Sequence, residues 1–313
     1  MNASTASTQI ATPDLRIALG TGGQSGIAPG VPVLAGEVVE QLFGATRPAG
    51  RAGAFELFQG VGWLLGAARM PWPPTTGLEA VTHQLYDNIF QATPGLHLAR
   101  IWNYVPAINQ LGPDGLENYR SFCRGRSLAF EGRYGRGFKA RLPSASAVGG
   151  NPSALTVVFA ACDLPPRHVE NPLQVPAYDY PGEHGPRAPS FARATVVAGP
   201  AGATVFISGT AAISGHATVA PDSTREQVRI TLGNLRELSR ACGLGPDLDA
   251  GGGSVRHFKV YLRHAADQPL VAAILDEWLL AEQDHVSYLQ ADICRAPLRV
   301  EIEASLFGVS TLR

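Results

Sequence analysis

Two glutamates near the carboxyl end of the chain, Glu301 and Glu303, are the residues best placed to do chemistry. Residues 298–306 alternate between apolar and polar side chains, which is the period-two pattern of a strand with one buried face. Both glutamates therefore share one face, roughly 6–7 Å apart. Carboxylates that close repel each other, and where water is excluded one of them keeps its proton to a higher pH. Such a carboxyl is a candidate general acid or base; the alternative is a solvated sheet face whose charges have no function.

A second polar face is predicted on a strand over residues 254–264. Its side away from the core carries three polar residues: Lys259, Tyr261 and Arg263. If the two polar faces adjoin, carboxylates for proton transfer lie beside cations, a combination that suits a small acidic substrate. Arginines elsewhere are candidates to complete such a site at an interface between two halves, although each one taken alone also fits an ordinary surface position. They are Arg124, Arg126, Arg187 and Arg193.

Composition excludes several classes of protein. With 45% hydrophobic and 16% charged residues over 313 positions, the chain has enough apolar surface for a compact core. Its net charge of −1 provides no overall field that attracts nucleic acid or acidic lipid. No apolar run approaches about 18 residues, so no membrane span is predicted. Four cysteines without C-x-x-C spacing, and a first stretch of residues unlike a signal peptide, predict a reducing, cytoplasmic location.

The sequence does not support motifs for a metal, a cofactor or a nucleophilic serine. Residues 20–26 are glycine-rich, but Pro29 and Pro32 follow where a dinucleotide-binding loop would open a helix. His168 and Glu170 begin like a zinc deaminase site, yet no P-C-x-x-C segment follows. A G-x-S-x-G elbow is also missing from the sequence. We therefore expect chemistry carried out by side chains alone, without a metal or a cofactor.

The order of predicted elements repeats along the chain. A strand pair, a helix, a strand, a helix and two strands are followed, after a proline-rich connector, by a similar order. This predicts an α+β protein of two tandem lobes, each a mixed β-sheet backed by two helices. Helix starts are predicted at Asp114, at a capping box over residues 223–226, and at Asp267. The predicted boundaries are an irregular segment at 1–50, a first lobe at 51–165, the connector at 166–190 and a second lobe, with both glutamates, at 191–313.

Several stretches resemble known families. The segment VEIEA at residues 300–304, together with KVYLR at 259–263 and FISGTA at 206–211, resembles the YjgF/RidA superfamily. From about residue 55 onward, the chain more closely resembles the chorismatases. The stretches that carry this resemblance are FCRGRS at 122–127, HVENPLQVPAYDYP at 168–181, SGTAAISGH at 208–216 and YLQADICR at 288–295. The resemblance implies two YjgF-like lobes and a cofactor-free lyase that releases pyruvate from chorismate.

The same resemblance implies roles for individual residues. Glu301 corresponds to the catalytic acid/base, and Cys294 to the position that marks the branch converting chorismate to a hydroxybenzoate. Ala212 occupies a second branch-marking position, where alanine departs from the pattern of enzymes that make only 3-hydroxybenzoate. The implied product is 3- or 4-hydroxybenzoate, with hydrolysis to a dihydroxycyclohexadiene carboxylate as the alternative. The residues that match substrate-binding positions are Tyr119, Arg126, Arg187, Arg193, Gly209, Ala212 and Arg263.

Two other classes of function stay open. A YjgF-like imine or enamine deaminase needs an arginine shortly before the final hairpin, and residues 286–290 contain none. A non-catalytic protein that binds a small acid at the lobe interface is the other class, and the aromatic residues of the connector do not separate binding from turnover. We expect chorismate as the small-molecule partner, with neither nucleic acid nor membrane, and either a monomer or a homo-oligomer such as a trimer.

Overall fold

Two mixed β-sheets, each with two helices on its outer face, make up the protein. The structure is a computed structural model that describes residues 12–20, 25–73, 75–310 and 312. The predicted α+β class and the pairing of two helices with each sheet are confirmed. None of the helices in these described ranges is both long and apolar enough to cross a bilayer.

The first sheet is formed by residues 47–162. In chain order, the elements up to this point are β1 (Arg16–Ala18), β2 (Gly26–Ile27), β3 (Val33–Gly36), β4 (Val39–Gln41), β5 (Arg47–Ala52), β6 (Phe55–Gly60), β7 (Trp63–Pro71), α1 (Leu78–Ala92), β8 (His97–Val105), α2 (Asn118–Tyr134), β9 (Ser144–Gly149) and β10 (Ala154–Cys162). The strand order in the sheet is β5-β6-β7-β10-β8-β9, and the pairs are antiparallel except for β8 with β9.

The second sheet holds the strand with the two glutamates. The remaining elements are β11 (Arg167–Val169), β12 (Ala194–Val197), β13 (Ala203–Ala211), β14 (Ile213–Ser214), β15 (Ala217–Thr218), α3 (Thr224–Cys242), β16 (Val255–Leu262), α4 (Gln268–Trp278), β17 (His285–Gln290) and β18 (Val300–Val309). The strand order is β11-β12-β13-β18-β16-β17-β3, with β16 and β17 parallel. The terminal strand β18 therefore lies in the middle of its sheet, between β13 and β16.

The inner faces of the two sheets pack against each other. One buried apolar cluster lies between each sheet and its helices, and a third joins residues of both sheets. Along β16, Phe258 and Val260 point to the helix side, while Tyr261 belongs to the cluster between the sheets. The period-two pattern of β16 therefore gives the correct faces. The polar side of this strand faces the other sheet instead of solvent, which is why its charged residues are buried.

The described part of the segment before residue 50 is more ordered than the sequence indicated. β1, β2 and β4 form a small three-stranded sheet, and β3 pairs antiparallel with β17 at the edge of the second sheet. These strands are only two to four residues long, too short to show a period-two pattern in the sequence, and β3 also pairs with the distant strand β17. The expectation of an irregular segment was wrong for this reason. One consequence matters for the site: this segment carries Glu40 into the interior.

Helix starts follow the predicted positions only in part. The Ser223 hydroxyl accepts a hydrogen bond from the Glu226 backbone N–H at 3.2 Å, which confirms Ser223 as the N-cap of α3. The second half of the predicted capping box is not formed, because the Glu226 carboxylate pairs with Arg229 and the Ser223 N–H donates to the carbonyl of Ala220. The Asp114 carboxylate instead caps a turn ahead of α2, which begins four residues later with Glu117 at the N-cap position. Asp267 precedes α4 as expected, but its carboxylate accepts a hydrogen bond from the Thr224 hydroxyl at 2.8 Å. It therefore ties the starts of α3 and α4 together.

Candidate active site

Glu301 lies in the centre of the second sheet, on the face that meets the first sheet. It is paired across β18 with Ala211 of β13 on one side and Tyr261 of β16 on the other, and it is 3% exposed. Burial, followed by the charge of Glu303, raises the pKa of Glu301 from 4.5 to about 8. The carboxyl therefore carries a proton at neutral pH and can both give and take one.

The Glu303 carboxyl, in contrast to that of Glu301, is ionised. Lys259 contacts one oxygen of its carboxylate at 2.7 Å and Arg100 contacts the other at 2.8 Å, with all three side chains almost fully buried. Burial alone raises the pKa of Glu303, but these two cations hold it below its usual range. The Lys259 ammonium also pairs with Glu40 at 2.6 Å. The network thus contains two cations and two carboxylates. Glu301, which is outside it, is the carboxyl that can transfer a proton.

Gly209 explains how the Glu301 carboxyl fits against the neighbouring strand. A Cβ added at Gly209 would lie 1.9 Å from Oε1 of Glu301. The pairing of β13 with β18 is irregular at this point, between Ile207 and Thr210. A bulge that re-aims side chains is common beside active sites. The missing side chain of Gly209 therefore makes the space in which the Glu301 carboxyl rests.

Cys294 lies next to the same carboxyl. Its thiol donates a hydrogen bond to Oε2 of Glu301 with a sulfur–oxygen distance of 3.9 Å. Burial, and then the charge of Glu301, raises the pKa of Cys294 well above its usual value, so the group is a thiol and not a thiolate. Cys294 packs against a small apolar cluster that includes the fully buried Ala212 and Ile293. The structure thus places Cys294 and Gly209 against the Glu301 carboxyl, and Ala212 in the apolar cluster on which Cys294 packs.

Arg263 holds the loop that carries Cys294. Its Nε donates to the carbonyl oxygen of Leu298 at 2.8 Å, and its Nη2 donates to the carbonyls of Ile293 and Arg295 at 3.2 and 3.1 Å. Its Nη1 bonds Asn109 at 3.1 Å and forms an ion pair with Asp292. These protein partners occupy the guanidinium, so we assign Arg263 a positioning role in place of the substrate-binding role predicted from the sequence.

Two buried arginines, Arg126 and Arg193, approach each other across the ring of Phe191. Their guanidinium carbons lie 5.8 and 5.2 Å from the centre of this ring. Nη2 of Arg193 donates to the Tyr180 hydroxyl at 2.6 Å. Among the described residues, Nε of Arg126 and Nε of Arg193 find no hydrogen-bond acceptor. Buried N–H groups without a partner are costly, which marks both arginines as candidates to bind an anion.

Tyr119 lies in α2 beside these groups. Burial raises its pKa well above 10, and the nearby sulfurs of Cys123 and Cys294 add to the shift. The phenol is therefore neutral, and its hydroxyl forms a hydrogen bond with the side chain of Cys123.

Arg187 and Arg124 lie at the surface, away from the buried residues around Glu301. Arg187 pairs with Glu131 at 2.7 Å with its side chain 38% exposed. Arg124 forms an ion pair with Glu79, also at the surface of the first lobe. We therefore place Arg187, which was predicted to bind substrate, in a surface ion pair.

The structure adds residues that the sequence did not indicate. Arg100, Glu40 and Tyr180 each contact a predicted site residue. A charged residue inside the apolar strand β8 was a usable signal for Arg100. Glu40 gave no such signal because it lies in a strand of three residues, whereas Tyr180 belongs to the connector stretch at 168–181 that resembles the chorismatases.

A protonated carboxyl and guanidinium groups, buried between two helix-backed sheets beside a partly buried thiol, define a candidate general-acid site for a small anion. The family "Chorismatase FkbO/Hyg5-like, N-terminal" matches residues 43–161. A 3-hydroxybenzoate synthase of Streptomyces hygroscopicus is 38% identical over 74% of this chain and 70% of its own. A chorismatase of Streptomyces rapamycinicus is also 38% identical, over 78% of this chain and 76% of its own. The chain belongs to the chorismatase family.

The solved structure of a chorismatase has the same fold over nearly the whole chain. A crystal structure of a chorismatase is similar over 97% of this chain and 96% of its own, with a TM-score of 0.75 and 28% identity. A YjgF family protein from Neisseria meningitidis matches 45% of this chain and 93% of its own, with a TM-score of 0.32 and 19% identity.

Proposed function

We propose that this protein is a chorismatase that converts chorismate into a hydroxybenzoate, the 3- or the 4-isomer, and pyruvate. The observation that carries the proposal is the state of Glu301, a buried carboxyl whose pKa of about 8 keeps it protonated at neutral pH. An enol ether is cleaved after its methylene carbon takes up a proton, and a protonated carboxyl at that carbon supplies it.

The proton balance of this reaction suits a single carboxyl. One chorismate contains the same atoms as one hydroxybenzoate and one pyruvate together, so nothing has to be added or removed. Glu301 gives a proton to the methylene carbon, the carbon–oxygen bond to the ring breaks, and the electron pair of that bond leaves with pyruvate. The ring carbon that carries the hydroxyl then loses a proton to restore aromaticity, which gives the 4-isomer. For the 3-isomer, the neighbouring ring hydroxyl oxygen bonds to the carbon that carried the ether as the ether breaks, its own proton leaving. The resulting epoxide regains that proton as it opens at the carbon that first carried the hydroxyl, and the carbon that carried the ether then loses its ring proton. The Glu301 carboxylate, now ionised, takes this proton back, so no water or cofactor is consumed.

Chorismate is a dianion, so its carboxylates need cationic partners. We assign this role to Arg126 and Arg193, whose Nε–H groups have no acceptor within the described part of the chain. Tyr119, with a neutral hydroxyl, is a further hydrogen-bond donor to the substrate. The groups assigned here come from both lobes of one chain, so the proposed site does not require a residue from a second subunit in a monomer or in a trimer.

Cys294 and Ala212 are assigned to product choice. Exclusion of water favours aromatisation, because a water molecule at the ring carbon gives the dihydroxycyclohexadiene carboxylate instead. The neutral thiol of Cys294 fills space beside the Glu301 carboxyl, and Ala212 packs in the same apolar cluster. The free thiols also support the expected cytoplasmic location.

The test is incubation of the purified protein with chorismate. Chromatography measures hydroxybenzoate and dihydrodiol, and a coupled enzyme assay measures pyruvate. In Glu301→Gln, which keeps the size of the side chain, we expect a normal fold and at least ~10²-fold slower release of pyruvate. Glu282→Gln, at an exposed carboxyl, is the matched control and is expected to retain full rate. Equal rates in Glu301→Gln and wild type, or no pyruvate from wild type, would contradict the proposal.

A further inference from the structure

Three side chains outside the proposed active site converge at the edge of the connector. Glu183 and His184 lie in a short 3₁₀ turn, Gly182–His184, and His216 lies between β14 and β15. The two imidazoles approach each other with Nε2 of His184 3.0 Å from Nδ1 of His216. Oε1 of Glu183 is 3.4 Å from each of these nitrogens. Each of the three atoms is a potential metal ligand.

The size of this triangle matches a tetrahedral zinc site. Zinc lies about 2.0–2.1 Å from histidine nitrogen and carboxylate oxygen, so the ligand atoms of a tetrahedral site are about 3.3 Å apart. The three sides of the triangle are 3.0, 3.4 and 3.4 Å. We propose that Glu183, His184 and His216 bind a Zn²⁺ ion, with water in the fourth position. Two histidines and one carboxylate are a known ligand set for zinc with an open position.

Backbone and ring contacts hold the two imidazoles in place before a metal binds. The N–H of Val175 donates to the carbonyl of Gly215 at 3.0 Å, and the N–H of Gly215 donates to the carbonyl of Leu173 at 3.3 Å. These bonds join the connector to the hairpin that carries His216. The ring of Tyr180 packs on both imidazoles, at 5.0 Å from His184 and 6.3 Å from His216. The imidazole pair therefore loses little conformational entropy on binding, whereas the Glu183 side chain, which is 65% exposed, is ordered when the metal binds.

Charged groups around the triangle have opposite effects on the binding of a metal ion. Nη1 of Arg295 donates to the carbonyl of His216 at 2.8 Å, and its guanidinium lies over the ring of Tyr180 at 5.1 Å. This cation opposes a metal ion, whereas the carboxylate of Glu183 attracts one. A metal ion bound here takes the place of the hydrogen bond between the two imidazoles, because each of these nitrogens then offers its lone pair to the metal. Arg120 is a further cation that acts on His184.

The test uses the full chain, with any affinity tag removed and with metals stripped by a chelator. Co²⁺ is the probe, because a tetrahedral site gives it an intense visible absorption, and Zn²⁺ is then added to displace it. We expect one Co²⁺ per chain, lost on addition of one equivalent of Zn²⁺. In His216→Gln we expect at least ~10-fold weaker binding, since even loss of an outer partner costs about 10–100-fold. His83→Gln removes another histidine beside a carboxylate, that of Asp87 on α1, and is expected to bind like wild type.

A second variant, Glu183→Gln, is expected to weaken binding while leaving the imidazole pair in place. Circular dichroism and melting temperature show whether each variant is folded. Absence of a saturable tetrahedral Co²⁺ spectrum in the wild type would overturn the proposal. Unchanged affinity in folded His216→Gln would overturn it as well, since the ion would then lie elsewhere. Neither outcome depends on activity toward chorismate.

Discussion

Gly209→Ala is expected to remove most of the proposed activity while leaving the fold intact. An added Cβ lies 1.9 Å from Oε1 and 2.6 Å from Cδ of Glu301, whereas ordinary contact begins at 3.4 Å. The carboxyl therefore has to retreat by about 1.5 Å. A misplacement of about 1 Å costs on the order of 10²-fold in rate, so we expect kcat/KM to fall at least ~10²-fold. The backbone at Gly209 lies outside the left-handed region, so alanine adds no strain of its own.

The assay is the release of pyruvate from chorismate, followed through lactate dehydrogenase at several substrate concentrations, with melting curves as the measure of folding. Gly233→Ala in α3 is the control, because a Cβ there meets no atom within 4 Å. It is expected to keep the wild-type rate and to be slightly more stable, since alanine is favoured over glycine in a helix. If folded Gly209→Ala keeps the wild-type kcat/KM, the Glu301 carboxyl does not need its place beside β13, and the role assigned to it fails.

Three further expectations follow from the buried charges and the thiol. Glu301 keeps its proton up to about pH 8 in the folded protein, whereas a glutamate in the unfolded chain loses it near pH 4.5. Between these two pH values, Glu301 therefore lowers the free energy of unfolding by up to about 1.4 kcal/mol for each unit by which the pH rises. Urea unfolding between these pH values is expected to show this decrease in the free energy of unfolding for the wild type but not for Glu301→Gln. The kcat is expected to fall as pH rises through about 8, and a rate that rises there would contradict proton donation by Glu301. Glu40→Gln leaves one uncompensated positive charge among Lys259, Arg100 and Glu303, which is expected to cost about 3–5 kcal/mol in urea unfolding; a variant as stable as wild type would show that Glu40 is not needed to balance Lys259. Cys294→Ala is expected to raise the share of dihydrodiol on chromatography, and an unchanged product ratio would refute the role of the thiol in excluding water.

Local patterns in the sequence were sufficient for the faces of the strands and for the central carboxyl. The period-two alternation of β18 places Glu301 and Glu303 on one face, and the alternation of β16 places Lys259 and Tyr261 opposite them. These patterns are local because side chains of a strand alternate regardless of what covers the sheet. The resemblance of four short stretches to chorismatases added Cys294, Gly209 and Ala212, which no periodicity indicates.

What the sequence could not provide were contacts between distant segments. Arg263 looked like a substrate ligand because it is a cation on the polar face of β16, but the carbonyls of residues 293, 295 and 298 bind its guanidinium. Glu40 enters the network from a three-residue strand in the first part of the chain, far from Lys259 in sequence. Such pairings depend on how the two sheets pack, and a single sequence carries no local signal of that packing.

Burial raises the pKa of both neighbouring glutamates, and the distribution of cations then makes their protonation states differ. Lys259 and Arg100 both contact Glu303 directly, so that carboxyl is ionised despite its burial. Its negative charge then disfavours a second charge on Glu301, on which Arg100 and Arg193 act only as charges at longer range. The charges of the network around Glu303 cancel within that network. Glu301 can therefore keep its proton although guanidinium groups lie close enough to bind an anion. If Glu301 were paired directly with an arginine, it would be ionised at neutral pH and could not act as an acid.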